Sequence, residues 1–213
     1  METFREYEKI ETLYLRDDKT KKLVEGKYRN QTIEFLKDNI WDFTEKIDGT
    51  NIRIYWDGHK VSYYGRTSKA QIPVNLMNKL IELFGGTINE EMFEQKFGDK
   101  EVMLIGEGYG AKIQNGGNYR QDNSFILFDA IINGNYQDRE CVKALANYFN
   151  IECVPIIFKG TLEQAVNFVK NKPKSTIGTA DMEGLVGRPE KELQDRTGNR
   201  IIVKIKVCDF EVE

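Results

Sequence analysis

The sequence predicts an α+β fold of antiparallel β-sheets with flanking helices. Strand and helix signals alternate in a mixed order along the chain. Residues 51–56 and 60–64 read as two strands joined at Asp57-Gly58, a dipeptide that supplies the positive φ of a tight hairpin turn. Apolar residues recur at helical spacing in several separate stretches.

The elements follow in order. Residues 41–47 form an apolar strand that leads into the hairpin. Pro73 opens VNLMNKLIELF, where Leu76, Leu80 and Leu83 share one helical face, and Gly85-Gly86 ends it. Met92, Phe93 and Phe97 mark a second short helix. Residues 101–107 and 125–132 are apolar strands, and 138–149 is an amphipathic helix. Another strand covers 154–158. Thr161 and Gln164 have the spacing of a capping box for a helix running to about Val169. Strands at 183–187 and 200–207 complete the order. The first 40 residues are rich in charge and carry no firm pattern.

The 213 residues suit a single domain spanning 1–213, and 40% hydrophobic residues are enough for a sizeable core. Neither a signal peptide nor a membrane-spanning run is evident. Cys141, Cys153 and Cys208 are scattered without a CxxC pattern, which suits a reducing cytoplasm. A net charge of −3 excludes a uniformly basic DNA-coating protein, although it permits a local basic track. His59 is the only histidine, so Ser-His-Asp catalysis, Cys-His catalysis and multi-histidine metal sites are excluded.

Five short motifs carry chemistry. In TEKIDGTNIRIYW, Lys46 leaves a strand at the turn-forming Asp48-Gly49. An ordinary lysine amine is protonated and poorly nucleophilic at neutral pH. A second cation ~4 Å away, at an effective dielectric of about 20, disfavours the charged form by roughly 4 kcal/mol. A solvent-facing lysine before a hairpin is the plain alternative. In VMLIGEGYG, small neighbours let a ligand approach Glu107. In SFILFDAII, alternation puts Ile126, Phe128 and Ala130 on one face and Phe125, Leu127 and Asp129 on the other, and one aromatic there could stack on a purine. In DMEGLVGRP, Glu183 offers hard oxygen donors suited to Mg²⁺ or Mn²⁺. In RIIVKIKVCDF, Lys204 and Lys206 point to one face of an apolar strand, where a polyphosphate would offset their repulsion.

In this order, the five motifs resemble the covalent nucleotidyltransferase superfamily of DNA ligases, RNA ligases and mRNA capping enzymes. The likeness runs from Glu45 to Lys206. It is strongest to ATP-dependent RNA ligases of the phage RNA ligase 2 type. Asn51 stands where DNA ligases and capping enzymes usually carry arginine, and YYGRTS places Arg66 where these RNA ligases hold an arginine needed for sealing. The resemblance implies a nucleotidyltransferase (ATP-grasp-like) adenylation domain. Lys46 would be the adenylated lysine, with Asp48 and Asn51 around it and Asn51 near the ribose. Glu107 would contact the ribose, Phe128 would stack on adenine, and Glu183 would help hold the metal. Lys204 and Lys206 would contact the phosphates, and Glu45 or Thr44 would help read the adenine.

The implied cofactors are ATP, with AMP carried on Lys46, and Mg²⁺ or Mn²⁺. The implied partner is RNA with 5′-phosphate and 3′-OH ends, together with an RNA end-healing enzyme. The chain is expected to act as a monomer in the cytoplasm of a phage host, away from membranes. Only seven residues follow Lys206, so neither an OB-fold nor a helical C-terminal domain is expected. Lys19, Lys21, Lys22, Lys27 and Arg29 could contact phosphates, although a solvated charged surface explains them better. A DNA ligase, and a ligase-like module that binds nucleotide or RNA without chemistry, are the alternatives.

Overall fold

The computed structural model describes residues 6–67 and 69–211, so Ser68 of YYGRTS and the first five residues lie outside the described residues. The elements are β1 (Tyr14–Arg16), β2 (Leu23–Tyr28), α1 (Gln31–Phe35), β3 (Trp41–Glu45), β4 (Thr50–Trp56), β5 (Val61–Gly65), α2 (Val74–Phe84), α3 (Gly86–Phe97) and β6 (Val102–Gly110). They continue with β7 (Asn123–Ile132), β8 (Asn135–Tyr136), α4 (Arg139–Tyr148), β9 (Glu152–Cys153), β10 (Ile156–Gly160), α5 (Leu162–Lys170), β11 (Gly184–Pro189) and β12 (Val203–Lys206). The chain is α+β, as expected, and forms two compact units. No helix among the described residues is long and apolar enough to cross a membrane.

The first unit holds residues 6–8 and 48–154. Its sheet runs β5-β4-β6-β7-β8, with β9 pairing in parallel beside β7 and the other pairs antiparallel. The β4–β5 hairpin turns at Asp57-Gly58. The Asp57 carboxylate accepts from the His59 and Lys60 amides, and Gly58 takes φ +94°. One sheet face carries Ile52, Ile54, Leu104 and Leu127 and packs with Leu76, Leu80, Phe84 and Phe93 from α2 and α3. Gly85 does end α2, but it also serves as the N-cap of α3, so no loop separates the helices. Asp138 caps α4 through the Cys141 amide.

The second unit holds residues 9–47 and 155–211. Its sheet, β10-β3-β11-β12, is antiparallel throughout. Trp41, Phe43, Leu185, Val203 and Ile205 point from one face into a core shared with Leu162, Ala165, Val166 and Val169 of α5. Both arms of the capping box form at Thr161 and Gln164. The early segment that the sequence left unplaced supplies β1, β2 and α1. Its charges hid a few anchors, Leu13, Tyr14, Ile33 and Leu36, all buried in this core. Residues 11–13 run beside β12, where Lys204 N–H donates to Glu11 O and Leu13 N–H donates to Lys204 O.

Candidate active site

In the second unit, the ladder registers set Lys46 in a row with Gly184 and Lys206. Leu185 pairs with Glu45, and one step on the Lys46 amide donates to Gly184 O at 2.9 Å. Gly184 in turn pairs with Lys206. Facing residues in a ladder project to the same side, so the two lysines flank a position with no side chain. Gly184 is required there: its φ is +155°, and a Cβ would meet the backbone of Ile205 and Lys206 on β12.

Glu183 fills the gap from the strand entry. Its Oε2 lies 2.6 Å from Lys46 Nζ and its Oε1 lies 2.8 Å from Lys206 Nζ. The three side chains are 25%, 16% and 30% exposed for Lys46, Glu183 and Lys206, so this is a partly desolvated cation–anion–cation bridge. Burial lowers the Lys206 ammonium, and the Glu183 carboxylate, together with Cys208 and Asp209, more than reverses this, so its pKa rises overall. The sequence led us to expect cations as the near neighbours of Lys46. Instead a carboxylate stands between the two ammoniums.

Lys204 lies two residues before Lys206, opposite Val186, and shares its face, while Val203 and Ile205 enter the core. Thr44 sits across from Val186 on the same row. Lys204 and Lys206 also border a groove of about 440 Å³ whose charged lining is mixed: Lys9, Arg16, Lys21 and Arg29 with Glu11, Asp17 and Asp18. Arg16 pairs with Asp209 and Arg29 with Glu11.

Glu45 behaves differently from its neighbour. It points to the opposite side of β3 from Lys46 and is 2% exposed. Oε2 accepts from the Thr176 amide at 2.9 Å and the Thr176 hydroxyl at 2.6 Å, and Oε1 accepts from the Ser175 hydroxyl.

In the first unit, Asp48 lies under the loop that follows β6. Its carboxylate accepts from Asn115 Nδ2 at 2.8 Å, and its amide donates to Tyr119 Oη at 3.3 Å. Gly49 lies against β6, where an added Cβ would strike the Gly108 carbonyl and Glu107 Cγ. Asn51 and Glu107 face each other directly in the β4–β6 ladder. Asn51 Oδ1 is buried with no hydrogen-bond partner among the described residues. Arg66 is exposed and follows the end of β5, one residue beyond the Ile52–Gly65 pair.

Phe128 sits at a bulge that the alternation did not reveal. Pairing jumps from Ile105–Asp129 to Gly106–Leu127, so the β6–β7 register skips Phe128. The extra residue reverses the parity of the strand. Phe125, Leu127 and Ala130 therefore share the core face, which corrects the expected placement of Ala130 and Asp129. Phe128 is half-exposed, with its ring centroid 5.5 Å from that of Tyr7, whose hydroxyl donates to buried Asp129 at 2.8 Å.

Each unit thus gathers its own set of expected residues: Lys46, Glu183, Lys204 and Lys206 in one; Asp48, Asn51, Arg66, Glu107 and Phe128 in the other. Sequence reasoning missed Asn115, Tyr119, Ser175 and Thr176, which contact site residues from loops without periodicity. Among the described residues no three His, Cys, Asp or Glu side chains cluster as a metal cage. A single carboxylate still suits Mg²⁺ or Mn²⁺, because Mg²⁺ in particular keeps several waters and is commonly held by one or two carboxylates plus substrate phosphates.

No curated protein sequence matches the chain. Solved structures of Naegleria gruberi RNA ligase do. A mutant with ATP and Mn gives a TM-score of 0.64 at 18% identity, covering 82% of this chain and 51% of that one. A mutant with AMP and Mn gives 0.63 at 19%, covering 82% and 52%. The ligase with PPi gives 0.62 at 21%, covering 82% and 51%. The likeness establishes a shared fold, and the chain spans about half the length of these structures. The RNA ligase family model matches residues 39–206, most of the sequence and every motif residue named above. The chain belongs to the RNA ligase family.

Proposed function

We propose that the protein is an ATP-dependent RNA ligase that works through a covalent lysyl-AMP. The carrying observation is the row Lys46–Gly184–Lys206 with Glu183 bridging both ammoniums. It holds a primary amine beside a second cation and a carboxylate, which suits attack on a phosphate anion. In the first step, Lys46 Nζ, once deprotonated, attacks the α-phosphorus of ATP. A P–N bond forms, the bond to pyrophosphate breaks, and the second amine proton leaves to solvent. Lys204 and Lys206 stabilise the charge that develops on the phosphate oxygens. Glu183 would hold the divalent metal, which would neutralise phosphate charge. Its carboxylate must then give up at least part of its contact with Lys46, releasing the amine.

In the first unit, the resemblance assigns Asn51 and Glu107 to the ribose, Phe128 to the base, Asp48 to the motif beside the lysine and Arg66 to sealing. The buried, unpartnered Asn51 Oδ1 and the half-exposed ring of Phe128 at the β7 bulge support those assignments. In the second step the 5′-phosphate of RNA attacks the AMP phosphorus and the P–N bond breaks. In the third, a 3′-OH attacks the activated end and AMP departs. The groove beside Lys204 and Lys206 mixes four further cations with Glu11, Asp17 and Asp18, and Arg16 and Arg29 are already ion-paired, so Lys9 and Lys21 are its candidates for further phosphate contacts.

The test is sealing. The protein, ATP and Mn²⁺ are incubated with RNA carrying 5′-phosphate and 3′-OH ends, and with the matched DNA. Joined RNA supports the reading. Joining of DNA alone, or of neither, refutes it.

A further inference from the structure

The pairing of Glu45 with Ser175 and Thr176 points to a positioning role that rests on the proposed lysyl-AMP chemistry. We infer that Glu45 clamps the loop entering Glu183 to the strand end that carries Lys46, and so sets the position of Glu183 relative to Lys46.

The loop is short and closed on itself. Lys174 and Asp181 bridge its base, Ser175 N–H donates to Ala180 O, and Met182 N–H donates to Pro173 O. Glu183 follows at once. On its far side Glu183 is held by the sheet, where the Val207 amide donates to its carbonyl at 3.0 Å and Gly184 pairs with Lys206. On its near side Glu45 ties the loop to β3. It ends β3 one residue before Lys46, and three donors from Ser175 and Thr176 occupy its two carboxylate oxygens. Ser175 Oγ also accepts from the Ile177 amide at 2.9 Å, which extends the clamp one residue further. A buried carboxylate that lost these donors would be costly, so the loop is held in one place.

The same geometry argues against Glu45 as the adenine reader, a role that the resemblance implied for Glu45 or Thr44. Its carboxylate is buried on the face opposite Lys46, and both oxygens are already in use. A positioning residue and a base reader fail differently, so the two roles separate by kinetics.

The experiment measures the single-turnover rate of AMP transfer from α-labelled ATP to the protein, across ATP and GTP concentrations with Mn²⁺. Wild type, Glu45→Ala, Glu45→Gln, Thr176→Val and the Glu45→Ala/Thr176→Val double variant are compared. Glu45→Ala should slow the maximal rate by about 10- to 100-fold, the order lost when a reacting group is displaced by ~1 Å. The ATP concentration at half-maximal rate should stay within about twofold, because no nucleotide contact is lost. Glu45→Gln, which keeps one carbonyl acceptor, should fall between. The double variant should be no slower than Glu45→Ala, since both changes break one clamp. Hydrogen exchange of residues 173–182 should quicken in Glu45→Ala.

A weakened ATP dependence or new acceptance of GTP would overturn the inference in favour of base reading. An unchanged rate, or exchange as slow as in wild type, would also overturn it. Should Glu45→Ala not fold, Thr176→Val, which removes one hydroxyl, decides by the same rate and exchange criteria. An unlabelled wild type would overturn the ligase reading and the positioning role together, while exchange alone would still report whether the clamp exists.

Discussion

Replacing Glu183 with glutamine removes one negative charge from between two positive ones. At an effective dielectric of about 20, unit charges at the 2.6 and 2.8 Å separations attract by roughly 6 kcal/mol each before desolvation and the lysine–lysine repulsion are subtracted. Breaking a fully buried pair typically costs ~3–5 kcal/mol, and the partial exposure of all three side chains reduces the expectation to about 2–4 kcal/mol. The loss belongs to the second unit, which contains Trp41, while Trp56 lies in the first. Urea unfolding is therefore followed by fluorescence in a Trp56→Phe background, where Trp41 is the sole tryptophan. With a slope of ~1–3 kcal/mol/M, Glu183→Gln should lower the midpoint by about 1–2 M at an unchanged slope. Lys206→Met, which leaves the Glu183–Lys46 pair intact, should cost less. A Glu183→Gln midpoint equal to that of the parent would refute the claim that this bridge holds the site together.

Alkaline pH should loosen the first unit. Burial pushes Tyr63 up to about 12, and burial with the bond to Glu101 does the same for Tyr55. Burial and the bond to Glu152 raise Tyr109 further. A folded-state pKa above the unfolded value of 10.0 stabilises the fold below pH 10, and that contribution is lost as pH rises through the folded value. Stability should therefore decline between about pH 10 and 12, with tyrosinate absorbance appearing as the unit unfolds; full tyrosinate absorbance at pH 10 in folded protein would contradict this. Phe128→Ala should raise the ATP concentration at half-maximal labelling by about 5- to 150-fold, from the ~1–3 kcal/mol of a base stack, and Phe128→Tyr should restore most of it.

Helices and the hairpin were legible because each had a local cause: the apolar stripe of α2, the Thr161–Gln164 capping box, and the Asp57-Gly58 turn. The two lysines of β12 were legible because period two in an apolar strand dictates a shared face. The bulge at Phe128 was not, since a skipped residue leaves no mark on alternation until the partner strand is known. Nor was the opposition of Asn51 and Glu107, which depends on the β4–β6 register. Glu45 and Lys46 are adjacent in the chain, yet strand geometry sends them to opposite faces, and only the distant Ser175 and Thr176 show what Glu45 does. Residues 9–40 were opaque because their few core anchors are spread among charges.

The central claim is that Lys46 carries AMP. The protein is mixed with α-labelled ATP and Mn²⁺, denatured, and mapped by peptide mass spectrometry. We predict one adenylyl group per chain on the Lys46 peptide, in an acid-labile P–N bond, and none on Lys46→Ala. Absence of label on wild type, or equal label on Lys46→Ala, would contradict the account.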